Sequence, residues 1–98
     1  MIINKNVNGT MTTLELIGRL DTTTAPELET EVESCLADTQ TLVLDFKGLE
    51  YLSSAGLRVL LKAQKSMAQK GSMKVLNVNE TIMEVFEITG FSDILTIE

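Results

Sequence analysis

Residues 41–57 read Thr-Leu-Val-Leu-Asp-Phe-Lys-Gly-Leu-Glu-Tyr-Leu-Ser-Ser-Ala-Gly-Leu, and they decide the fold. Residues 41–46 are apolar almost throughout, with Asp45 the clear exception. A run that short and that apolar is expected of a central strand covered on both faces. Lys47-Gly48 predicts a turn, after which a short segment carries Leu49, Tyr51 and Leu52. Ser53 and Ser54 then precede a helix whose Leu57, Leu60, Leu61, Met67 and Ala68 recur at helical spacing. Gly71 marks its stop.

Working outward toward the N-terminus, residues 24–27 (Thr-Ala-Pro-Glu) match a capping box, with Glu three residues after Thr. Pro26 suits a first turn, where N–H groups lack helical partners. Leu28, Val32, Cys35 and Leu36 then follow the i, i+4, i+7, i+8 pattern of an apolar stripe. Glu27, Glu29, Glu31 and Glu33 fall mostly off that stripe and form a solvated face. Before this helix, residues 2–7 and 11–17 are β-favouring, and Asn8-Gly9 between them predicts a hairpin. Leu14 and Leu16 alternate around Glu15, so one face of the second strand is buried.

Toward the C-terminus, residues 73–78 predict a strand. Residues 80–89 predict a helix with Ile82, Val85 and Phe86 on one face, Gly90 ends it, and residues 94–97 are a candidate for one last strand. The order β-β-α-β-α-β-α implies an α/β fold with parallel strand pairs, opened by an antiparallel hairpin. The expected architecture is one domain over residues 1–98, with a mixed sheet of four to five strands and about three main helices.

Composition narrows the function. The chain has 98 residues and a formal net charge of −6. Such a balance disfavours binding to a phosphate backbone, so no nucleic-acid partner is expected. The charge serves either solubility or the steering of a basic partner. Histidine is absent, which removes the commonest general base and metal ligand. Cys35 is the only cysteine and reads as a buried thiol in a reducing compartment. No apolar run reaches the roughly 20 residues needed to span a bilayer, so neither membrane insertion nor export is expected, and the location reads as cytoplasmic. No Gly-rich phosphate cradle and no nucleophile–base pair is present. The reading is of a binding module with no catalytic residue, no metal site and no cofactor. Met67, Met73 and Met83 read as core filling. Tyr51 is either an exposed contact residue or a half-buried turn residue.

The stretch 42–57 closely resembles the signature of STAS domains, the family named for sulfate transporters and anti-sigma factor antagonists. In that family a buried strand ending in Asp leads through a short loop, with an Asp/Ser-Ser-x-Gly-Leu element, into a helix. Gly18-Arg19-Leu20-Asp21 resembles the family's Gly-x-Leu-Asp element, and residues 86–91 its third helix and Gly-Phe exit. The resemblance runs in order along nearly the whole chain. It implies a regulator of the anti-sigma factor antagonist branch. Ser54, two positions before Gly56, matches the residue phosphorylated there. Asp21 matches the Asp that supports phosphorylation, and Ser53, Gly56, Leu57 and Arg58 complete the expected site. Ser53 stands where that branch commonly has Asp, which leaves open which of the two hydroxyls is used.

The implied partners are a GHKL-type serine kinase acting as an anti-sigma factor and a metal-dependent Ser/Thr protein phosphatase. The ATP and the metal belong to those partners. Position alone equally describes Ser53 and Ser54 as helix caps. Two other functions compete. One is a STAS docking subunit of a larger complex, such as a lipid transporter, without phospho-switching. The other is nucleotide binding or slow nucleotide hydrolysis.

Overall fold

The computed structural model describes residues 1–98. In chain order the elements are β1 (Ile2–Asn8), β2 (Met11–Leu20), α1 (Ala25–Cys35), β3 (Thr41–Leu52), α2 (Ser54–Ala68), β4 (Ser72–Leu76) and α3 (Glu80–Thr89). Short 3-10 turns at Leu36–Asp38 and Phe91–Asp93 follow α1 and α3. The expected α/β architecture is present, with four strands in the order β1-β2-β3-β4. β1 and β2 pair antiparallel, while β2–β3 and β3–β4 pair parallel.

The hairpin turns one residue later than Asn8-Gly9 suggests. Asn8 still pairs with Met11, so Gly9 and Thr10 form the loop, and only Gly9 takes a positive φ, at 63°. A glycine is favoured there because other residues meet their own Cβ in that conformation.

β3 departs most from expectation. It does not turn at Lys47-Gly48 but continues to Leu52, paired with β2 for most of its length. Gly48 lies opposite Ile17, where the register slips, and a Cβ there would come within 2.9 Å of Ile17 Cγ1. The glycine thus permits close approach of two strands rather than a reversal. β4 is shorter than expected and pairs only with residues 41–45 of β3. Residues 94–97 contribute a single parallel bridge, Val75 to Ile97, in place of a fifth strand.

Consecutive parallel strands in this order need two crossovers of one hand, and these put α1 and α2 on one face of the sheet. Leu14, Leu16, Leu42, Leu44, Phe46, Met73 and Val75 of that face join residues of all three helices in one core. Phe46 meets Phe86 of α3 with ring centroids 6.3 Å apart. Cys35, Met67 and Met73 are buried in this core, and Met83 packs against it. Ala68, expected on the apolar stripe of α2, is exposed. The opposite face of the sheet has no helical cover and is largely polar: Asn4 donates to Glu15 at 3.0 Å, and Asn77 to Asp45 at 2.9 Å.

Gly71 acts differently from a helix stop. α2 ends at Ala68, and a Cβ on Gly71 would collide with the Gln40 carbonyl oxygen. Ser72 N–H donates to that same oxygen at 2.9 Å, so the glycine lets β4 begin against the start of β3. No helix is long and apolar enough to cross a membrane.

Candidate functional site

β2 and β3 end side by side, with Leu20 and Leu52 as their last paired residues. The carboxyl ends of neighbouring parallel strands are where connecting segments converge in α/β folds. Here the segment after β2 carries Asp21, and β3 passes into α2 through Ser53 alone. Ser53 N–H donates to the Leu20 carbonyl at 2.9 Å, which holds the two segments together.

The two serines take different roles. Ser53 is the N-cap of α2: its backbone is extended (φ −99°, ψ 173°) and its Oγ accepts from Gly56 N–H at 3.4 Å. Its carbonyl accepts the Leu57 N–H at 3.0 Å. Ser54 is the first helical residue and is exposed. Gly56 is buried against the strand ends, where a Cβ would lie 2.7 Å from both Leu20 Cγ and Leu52 Cδ1. Leu57 enters the core. Glycine at position 56 therefore lets the first turn of α2 rest directly on the strand ends. Arg58 is exposed one turn beyond Ser54. That turn holds no acidic residue, and the N–H groups of Ser54 and Ala55 are first-turn amides without an intrahelical acceptor.

Asp21 is held by the residues after it. Its Oδ1 accepts from the Thr23 hydroxyl (2.8 Å), Thr23 N–H (3.0 Å) and Thr24 N–H (3.1 Å). These bonds, the Thr23 hydroxyl foremost, outweigh partial burial and hold the carboxyl below its ordinary pKa. The expected capping box is not formed. Thr24 precedes the helix but makes no side-chain cap bond. Its hydroxyl instead accepts Asp21 N–H and donates to the Arg19 carbonyl, both at 2.8 Å. Thr24 thus clasps the turn that leaves β2.

Sequence reasoning weighed Tyr51 as a contact residue but missed Arg19 and its pairing with that ring. Arg19 Nε lies 3.7 Å from Asp21 Oδ2, and the guanidinium carbon sits 4.1 Å from the Tyr51 ring centroid. Arg19 and Tyr51 are register partners across β2 and β3, which only the pairing reveals. Tyr51 is 41% exposed and belongs to a strand, not a turn.

No three His, Cys, Asp or Glu side chains stand close enough together to hold a metal ion. A cavity of about 110 Å³ lies between α1 and α2, and Ser54 is not among its lining residues. Lys62 spans it to Glu29 at 3.1 Å and Glu33 at 3.3 Å, and these carboxylates raise the lysine pKa.

Comparison with known proteins agrees with this geometry. The family model described as STAS domain matches residues 3–98. BtrV of Bordetella bronchiseptica is 36% identical over 84 residues, spanning 84% of this chain and 72% of that protein. The anti-sigma-B factor antagonist of Listeria monocytogenes is 35% identical over 83 residues (83% of this chain, 73% of that protein). The anti-sigma-B factor antagonist of Bacillus subtilis is 31% identical over 85 residues (86% and 78%). Among solved structures, an anti-sigma factor antagonist from Mycobacterium paratuberculosis superposes with a TM-score of 0.89 at 22% identity, covering 98% of this chain and 83% of that one. The Bacillus protein SpoIIAA in its phosphorylated form gives 0.78 at 19% identity, covering 99% and 91%. At those identities the superpositions speak for the fold.

Proposed function

Because the chain belongs to the STAS domain family, we propose that it is an anti-sigma factor antagonist switched by phosphorylation of Ser54. Unphosphorylated, it binds an anti-sigma factor of the GHKL serine-kinase type in the cytoplasm, and the sigma factor is released. The kinase then transfers the γ-phosphoryl group of ATP to Ser54 Oγ. The bond from phosphorus to ADP breaks, and the hydroxyl proton passes to a base of the kinase. A metal-dependent Ser/Thr phosphatase reverses the step. The chain is itself no enzyme: it supplies the acceptor and the docking surface.

The division of labour between Ser53 and Ser54 carries this reading. Ser53 spends its hydroxyl on the helix cap, while Ser54 stands exposed at the first helical position. Free amides and the positive end of the helix dipole tolerate an added phosphate there. A partner covering the same surface does not. The phosphate brings about −1.5 to −2 charges, and a hundredfold loss of affinity needs only about 2.7 kcal/mol. One modification therefore releases the partner without remodelling the fold. Asp21, kept ionised by Thr23 and Thr24, is the supporting carboxylate of the site.

The test is peptide mass spectrometry after incubating the chain with ATP and each GHKL-type kinase of its host. One phosphoryl group on Ser54, absent from Ser54→Ala and retained in Ser53→Ala, is the expected result. Modification confined to Ser53, or no modification by any kinase, overturns the proposal.

A further inference from the structure

Ile88 is 85% exposed on α3, and Ile94, just beyond the following turn, is 45% exposed. Neither placement serves the fold. α3 is already anchored by buried Ile82 and Phe86, and a β-branched residue on a solvated helix face lowers helix propensity without a packing return.

The charge around these two side chains has one sign. Residues 75–98 contain Glu80, Glu84, Glu87, Asp93 and Glu98, and neither lysine nor arginine. Only Glu98 of these forms an ion pair, with Lys74 at 3.9 Å. Acidity alone would not set this surface apart, since α1 is equally acidic. The apolar stripe of α1, however, is buried, and Lys62 of α2 engages its Glu29 and Glu33. Along α3 and the turn after it, carboxylates without an ion pair stand within four positions of exposed Ile88 and next to exposed Ile94.

We propose that Glu84, Glu87, Ile88, Asp93 and Ile94 form a second docking surface, and that its occupant is a basic amphipathic segment of another protein. Exposed apolar side chains flanked by charge are the pattern of an interaction site, and the single sign selects the partner. Two copies of this chain would set like charges against each other, and an anionic membrane or nucleic acid would be repelled. A cationic helix with an apolar stripe meets both features.

The surface shares no residue with the serine site. Asn79, which caps α3, donates to the Leu49 carbonyl near the end of β3. From there α3 runs on for nine residues to Ile88, about 13 Å at helical rise. The proposal does not rest on the phosphorylation reading, and docking here is expected whatever the state of Ser54.

The experiment is a titration of the isotope-labelled full chain with a synthetic lysine–leucine amphipathic helix about 18 residues long, followed by amide chemical shifts. Shifts confined to residues 84–94 are expected. Binding should weaken about tenfold in Ile88→Ser, an exposed change that spares the fold, and be unaltered in Ser54→Asp. Binding should also fall as salt rises. The proposal is overturned if the shifts map to the Glu row of α1, if Ile88→Ser binds as tightly as the parent, or if sedimentation shows that the chain self-associates through Ile88.

Discussion

Asp21 illustrates what a single side chain contributes here. Its carboxylate is an acceptor for two backbone N–H groups and a hydroxyl, and each of those bonds favours the ionised form. The folded pKa therefore lies below the ordinary value of 3.8, and the group adds stability that is fully present above that value. This contribution disappears as pH falls through the folded pKa, because the unfolded chain takes up the proton first. Urea unfolding followed at a series of pH values should show stability dropping below about pH 4, with a shallower drop in Asp21→Asn. An unchanged slope in the variant would mean that the Thr23 and Thr24 bonds do not depend on the charge. The resemblance pointed to Asp21 at the sequence level, but not to how it is held. The Thr-x-x-Glu spacing suggested a cap, whereas Thr24 turns back toward β2 because the Arg19 carbonyl and Asp21 N–H are both within its reach.

At the scale of elements, the start of α2 separates two adjacent serines that composition cannot distinguish. Ser53→Ala removes the acceptor for Gly56 N–H and should cost about 1 kcal/mol, as loss of a helix cap typically does. Ser54→Ala, at an exposed position, should change stability by no more than about 0.5 kcal/mol. Denaturant midpoints of the two variants give the comparison, and equal losses would contradict the assignment of the cap to Ser53. The helices were legible because an apolar stripe at helical spacing depends on one segment alone, and Glu80–Thr89 lies where the pattern put it. The second half of β3 was not. Gly48 looks like a turn in isolation, and its role opposite Ile17 exists only once β2 lies alongside. The pairing of Arg19 with Tyr51 escaped notice for the same reason: thirty-two residues apart in sequence, they are brought together by register.

Over the whole molecule, a sheet covered on one face concentrates the core between that face and three helices, and α3 is anchored to it by buried Ile82 and Phe86. Phe86 is fully buried and meets Phe46. Phe86→Ala should cost about 3–5 kcal/mol, a large part of the roughly 5–15 kcal/mol that holds a small domain together. Thermal or urea unfolding would measure it, and a loss below about 1 kcal/mol would show that α3 is dispensable to the core. The alternation of Leu14 and Leu16 and the apolar run of β3 foretold the sheet, whereas its uncovered face follows from crossover handedness, which no residue encodes by itself. The bond from Ser53 N–H to the Leu20 carbonyl joins strand ends separated by more than thirty residues of intervening chain. The serine pair and Asp21 are therefore neighbours only in a molecule whose first crossover has closed. A nascent chain still on the ribosome, or one that has misfolded, carries the same letters without that arrangement. Any partner that recognises the arrangement is also inspecting whether the chain has been made correctly.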